Sequence, residues 1–312
     1  MNSLINVVIP IFGIILTGYL AGRLGVLGPD SAVALNRFVF YFALPPALFI
    51  FTARAPVEKI FNWPFIGAFV GGSLLTLLIA LFVGRFWLRH NLTTLSIAGL
   101  VVVQGNVVYM GFPLPLTVYG PDGAMPTIVA GLSITLLFTS CGIAVLEGAH
   151  ASGPSTLRLA ARLARTVSCN ALVISPLLGI LFSAAALPLP RAASSYLDLM
   201  AAAVGPAALF ALGLSLIDRR LTGNAIEVIW LITLKLIVNP VMTFALVTYV
   251  FVMDPLWSKA AVILSAMPTG ANVYVIAQQY NVHVETASSA VLVSTGISIV
   301  TMSLLLFWRG VG

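Results

Sequence analysis

Polar residues are scarce along this chain, and between them lie ten apolar runs, at about 4–22, 33–53, 64–86, 93–119, 124–146, 166–187, 198–217, 225–252, 257–281 and 286–308. Each run is close to or above the ~20 residues a helix needs to cross hydrocarbon. The pattern therefore predicts ten transmembrane helices. Two runs, the fourth and the ninth, are broken in the middle. The fourth reads Gln104-Gly105-Asn106-Val107-Val108-Tyr109-Met110-Gly111-Phe112-Pro113, and the ninth reads Met267-Pro268-Thr269-Gly270-Ala271-Asn272-Val273-Tyr274. Gly and Pro interrupt helices, and a freed backbone amide in hydrocarbon must find another partner. Breaks at matching depth in the two halves of a membrane chain mark a binding site.

The halves match in order. Pro10-Ile11-Phe12-Gly13-Ile14 pairs with Pro176-Leu177-Leu178-Gly179-Ile180, and Pro45-Pro46-Ala47-Leu48-Phe49 with Pro206-Ala207-Ala208-Leu209-Phe210. Gly105-Asn106 with Tyr109 pairs with Gly270-Ala271-Asn272 and Tyr274. The expected organisation is a first five-helix repeat over 1–150, a polar, basic linker over 151–165 and a second repeat over 166–312. Five is odd, so the second repeat is inverted in the membrane.

Composition agrees: 60% of residues are hydrophobic and 8% charged, against about 25% charged in a soluble domain. Mean hydropathy is +1.08. No Lys or Arg precedes the first run, so the expectation is a retained helix and not a cleaved signal peptide. The net charge of +6 sits at the ends of runs, where it sets topology, and forms no nucleic-acid stripe. Arg23, Arg37, Arg85, Arg89, Arg158, Arg162, Arg165, Arg219 and Arg220 fall on one side, expected to be cytoplasmic with the linker. Arg54, Lys59, Arg191, Lys259 and Arg309 fall on the other, expected to be periplasmic with both termini. Cys141 and Cys169 are expected to be small core residues, and His90, His150 and His283 surface residues, with no metal spacing.

At each break the second half-helix offers free N–H groups and the first offers free carbonyls. Asn106 and Asn272 bring both donors and an acceptor. Tyr109 and Tyr274 offer a hydroxyl or a flat wall, and Gln104 and Thr269 add polar groups. The same residues also suit the plainer task of satisfying freed backbone. Lys235 lies about ten residues into the eighth run, where a charge is expensive. It either meets a substrate carboxylate or braces the ninth run, with Asn239-Pro240 following one turn later. Pro45 and Pro206 either kink their helices for packing or form a second wall of the site. No Asp or Glu sits at mid-depth, which argues against cation/proton exchange and for an anionic substrate. No nucleophile, base or metal constellation for an enzyme is present, and no cofactor is called for.

Asn106 through Leu114 resembles the Asn-x-x-x-Met-Gly-x-Pro-Leu stretch of the auxin efflux carrier family, with Gly111 and Pro113 in place. Pro268-x-Gly270 followed by Ala277, Tyr280, Asn281, Val282 and His283 is similar to that family's second crossover. Asn36-Arg37-Phe38-Val39 with Phe42, Ala43 and Pro45 is similar to its second helix. The likeness spans nearly the whole chain, and its size is similar to that of bacterial members, including malonate transporters. It implies an all-α membrane protein of two five-helix inverted repeats, with broken helices 4 and 9 crossing, in an elevator fold like that of bile-acid symporters and sodium/proton antiporters. It also often implies a homodimer. The residues and the likeness together lead to the expectation of a transporter of a small organic anion in the bacterial inner membrane, with H+ or Na+ as coupling ion. The rival reading is a sodium-coupled symporter of an organic solute with a related fold, since carbonyls at the breaks can coordinate Na+ without acids. Asn106 and Asn272 fall at or beside the substrate positions. Plant members carry Pro where this chain has Gly105; Gly is permissive too.

Overall fold

A computed structural model describes residues 2–56, 62–107, 109–150, 170–217, 221 and 223–308. The expected linker 151–165, Cys169, Lys59, Arg219, Arg220 and Arg309 lie outside the described residues. Among the described residues all regular structure is helical: α1 (Asn2–Arg23), α2 (29–53), α3 (Trp63–Phe86), α4 (Leu92–Val103), α5 (Pro113–Tyr119) and α6 (124–150). Then follow α7 (Ala171–Ala184), α8 (Arg191–Ser215), α9 (225–249), α10 (Pro255–Ser265), α11 (Ala271–Tyr280) and α12 (Val284–Trp308). Six spans among them are long and apolar enough to cross a membrane, and Ile9–Arg23, Leu92–Val103 and Ala171–Ala184 are shorter apolar helices.

Three long helices carry a π-helical turn, at Val39–Ala43 in α2, Ile134–Thr139 in α6 and Leu234–Val238 in α9. Two of these have a local cause. A proline ring clashes with the carbonyl four residues earlier, and for Pro45, Pro46 and Pro240 that carbonyl lies in the widened turn. In α6 side chains bridge it: Ser140 Oγ donates to Thr135 O at 3.0 Å and Thr139 Oγ1 to Ile134 O at 3.2 Å.

The long-range packing is α1 on α8, α2 on α7 and α3 on α9. Small residues make these crossings close, as expected where lipid supplies no hydrophobic drive between helices. A Cβ on Gly213 would overlap Ile15 O, and one on Gly18 would overlap Phe210 O. A Cβ on Gly179 would overlap Thr52 Oγ1 and lie 2.5 Å from Phe49 O. Neither backbone can step aside without separating its helices. Gly213→Ala and Gly179→Ala should each destabilise the protein by about 1–3 kcal/mol, the usual range for overpacking. Melting of the detergent-solubilised protein, followed by size exclusion, checks this; unchanged melting would show that the crossings are not close-packed.

Candidate functional site

The two breaks meet. Past Val103 the chain turns extended at Gln104 (φ −80°, ψ 91°), and Gly270 is extended ahead of α11 (φ −69°, ψ 140°). Gly105 and Thr269 form an isolated antiparallel bridge. Asn106 N donates to Pro268 O at 2.7 Å and Gly270 N to Gln104 O at 2.8 Å. Each break supplies the partners that the other has freed, as buried backbone requires.

Side chains satisfy more of the freed groups. Thr269 Oγ1 donates to Val101 O at 2.9 Å, and Thr269 N donates to Ser294 Oγ at 3.1 Å. At the end of α10, Ser265 O accepts from Lys235 Nζ at 3.1 Å and from Asn239 Nδ2 at 3.2 Å. Thr127 Oγ1 donates to Gly111 O at 3.0 Å. Gly111 is the glycine the first break cannot replace, since a Cβ there would lie 2.5 Å from Val107 Cα. A Cβ on Gly105 would make ordinary contacts of 3.4–3.5 Å with Met267, Leu264 O and Lys235 Nζ.

Beside the crossing is a cavity of about 40 Å³, room for roughly three waters at 10–15 Å³ each, or one carboxylate group. Gln104, Gly105, Asn106, Tyr109, Gly270 and Asn272 line it, facing Gly131, Ile134 and Thr135 of α6 and Leu172 of α7. Asn106 is 3% exposed and Gln104 6%. Asn106 Oδ1 accepts from Tyr109 N at 3.2 Å, which leaves its Nδ2 buried without a partner; Gln104 Oε1 is likewise unpartnered. Such atoms are costly unless a ligand takes them up. Asn272 is exposed on the first turn of α11, where its side chain lines the cavity.

Several expected site residues stand elsewhere. Thr269 is fully buried, donates to Val101 O and is not among the residues that line the cavity. Tyr274 is half-buried on α11 and does not line the cavity. Pro45 is half-buried in α2; its neighbours Leu44 and Leu48 line a smaller void next door. Pro113 and Pro206 line a separate cavity of about 430 Å³ between α1, α2, α5 and α8. The far wall of the crossover cavity is therefore α6 and α7. Thr135 was not foreseen, because nothing in the fifth run distinguishes one hydroxyl from another.

Two further expectations are corrected. His90 and His283 are not simple surface residues. Their Nε2 atoms lie 3.5 and 2.8 Å from Glu227 Oε1, and their side chains are only 18% and 16% exposed. The turns before α4 and α12 fold both rings onto the start of α9. Cys141 is exposed on α6 and not a core residue. In an apolar helix, a lipid-facing thiol and a buried one read the same.

Among the described residues, six apolar spans long enough to cross a membrane and two unwound, mutually paired breaks beside a small polar cavity describe a multi-pass membrane transporter. Residues 3–306 match the family model described as "Membrane transport protein", and the chain belongs to that family, the auxin efflux carriers. It is 31% identical over 308 residues to a "Putative malonate transporter" of Rhizobium meliloti (strain 1021), covering 98% of this chain and 96% of the relative. It is 28% identical over 304 residues to an "Uncharacterized transporter" of Methanothermobacter thermautotrophicus, covering 95% of each. It is 26% identical over 320 residues to the "Uncharacterized transporter YfdV" of Escherichia coli (strain K12), covering 98% of each. The family is one of transporters and not of enzymes.

Proposed function

We propose that the protein is a secondary active transporter that carries a small organic anion, a carboxylate such as malonate, across a bacterial inner membrane. The observation that carries this reading is the buried, unpartnered Nδ2 of Asn106, a residue that lines a cavity without a lining carboxylate. An amide donor wants an acceptor, and a carboxylate supplies two oxygens. The start of α11 adds the positive end of a helix dipole. The named relative's malonate fits that chemistry.

Substrate binds at the crossing, with Asn106, Gln104, Asn272 and Tyr109 around it. The halves are inverted repeats of five spans, with both termini periplasmic and the linker cytoplasmic. The packing supports a repeat: exchanging the halves turns the α1–α8 contact into the α7–α2 contact and returns α3–α9 to itself. In an elevator cycle the crossing and its attached helices move against α1, α2, α7 and α8, and a homodimer steadies the static part. Import of an anion against an inside-negative potential costs about 2.3 kcal/mol per charge per 100 mV, so import needs cotransported H+ or Na+.

Purified protein heated with a panel of small carboxylates tests the reading. A ligand at a hundred times its Kd stabilises the fold by about 2.7 kcal/mol, and malonate or a near relative is expected to do so. Stabilisation by neutral solutes or cations alone would overturn it. In proteoliposomes, choline in place of Na+ abolishes uptake if sodium is the coupling ion and leaves it intact if protons are.

A further inference from the structure

Away from the crossing, a crevice of about 220 Å³ opens between α3, α4 and α6. We propose that it holds one acyl chain of an anionic phospholipid, whose phosphate rests on Arg85 and Arg89. The walls include Leu77 and Leu81 of α3, Leu92 of α4, and Phe138, Cys141 and Val145 of α6. The polar hydroxyl among the lining side chains, Ser96 Oγ, is turned inward and donates to Gly142 O at 2.9 Å. Leu92 is 63% exposed, and Cys141 is an exposed free thiol. The crevice is thus dry in chemistry and open at the side, which in a membrane protein means open to lipid.

Charge selects the occupant. Leu77, Leu81 and Arg85 recur at intervals of four, so they form one stripe of α3. The apolar trough therefore runs into an exposed arginine at the helix end. Arg89 follows in the tight turn before Leu92, held at φ 56°, a conformation few non-glycine residues adopt. Trp87 between them is 80% exposed, the placement of an interfacial anchor at headgroup level. No acidic residue occurs from Gly84 to Leu95, and the carboxylate that folds against this turn, Glu227, lies 3.5 Å from His90 and 2.8 Å from His283. Two arginines and an anchor at the end of α3, where the stripe that lines the apolar trough runs out, match a phosphate ester with a hydrocarbon tail. A neutral sterol would leave both cations unused.

The test uses full-length protein reconstituted in vesicles of equal phosphatidylglycerol and phosphatidylcholine, re-extracted in mild detergent and weighed by native mass spectrometry. One phosphatidylglycerol per protomer is expected to survive conditions that strip phosphatidylcholine. The double variant Arg85→Ala/Arg89→Ala should weaken this retention about 30-fold, the attraction of two interfacial arginines. Cys141→Trp should fill the crevice and abolish retention without lowering the melting temperature. If that variant folds poorly, alkylating Cys141 with a bulky maleimide in folded Cys169→Ser protein does the same. Equal retention of both lipids, or full retention by the filled or arginine-free variants, overturns the proposal. So does dissociation of a wild-type dimer on filling, which would make the crevice an interface between copies.

Discussion

Asn106→Ala should abolish transport in a protein that still folds. Its backbone N–H would go on donating to Pro268 O, since that bond belongs to the main chain, and the crossing would survive. What disappears is the buried, unpartnered Nδ2 of a residue that lines the cavity and the Oδ1 that accepts from Tyr109 N. Loss of a hydrogen bond to a charged group costs about 1.5–3 kcal/mol, a factor of roughly ten to 150 in binding. Carboxylate-induced stabilisation should vanish along with uptake. The variant's own melting temperature should change little, because the lost acceptor is balanced by removal of an unpartnered buried donor. Asn106→Asp makes the sharper comparison: it keeps the shape, removes the donor and adds a repelling charge. Wild-type uptake by either variant would refute the assignment.

Lys235→Met should weaken anion binding tenfold or more while leaving the fold intact. Lys235 is 1% exposed, sits in the π turn of α9 and donates to Ser265 O. Among the described residues it has no carboxylate partner. Met fills nearly the same volume, and Asn239 Nδ2 still donates to Ser265 O, so the end of α10 keeps a partner. Removing a buried charge also removes its desolvation cost. The lysine lies directly behind Gly105. A positive charge within 10 Å of an anion, at an effective dielectric of about 20, is worth roughly 1.5–2 kcal/mol. If the side chain is only a brace, Lys235→Met would lower the melting temperature and leave the affinity of the folded protein unchanged. Melting and ligand-induced stabilisation, measured on one preparation, separate the outcomes.

The membrane class and the two breaks were legible in the sequence because both are local. Hydropathy over about 20 residues decides whether a helix can enter lipid, and Gly105, Gly111, Pro113, Pro268 and Gly270 interrupt a helix by their own backbone chemistry. The π turns were partly legible: Pro45-Pro46 and Asn239-Pro240 announced trouble in α2 and α9, but nothing announced the turn in α6. Thr269 and Asn272 both counted as site residues in the sequence, Asn272 as the amide matched to Asn106 and Thr269 as an added polar group. The direction each takes from the crossing made one a strut and the other a cavity wall.

The chain by itself fixed where helices must stop, since a ring without an N–H or a residue without a Cβ acts whatever surrounds it. Only the folded molecule decided what each stopped helix would face. Apolar helices in lipid show no polar face to mark their outward side, so the far wall at α6 and α7, the exposure of Cys141 and the meeting of His90, Glu227 and His283 depend on contacts between segments distant along the chain. The bond from Asn106 N to Pro268 O is of the same kind: its ends are set by local sequence, and its existence by how the two halves pack.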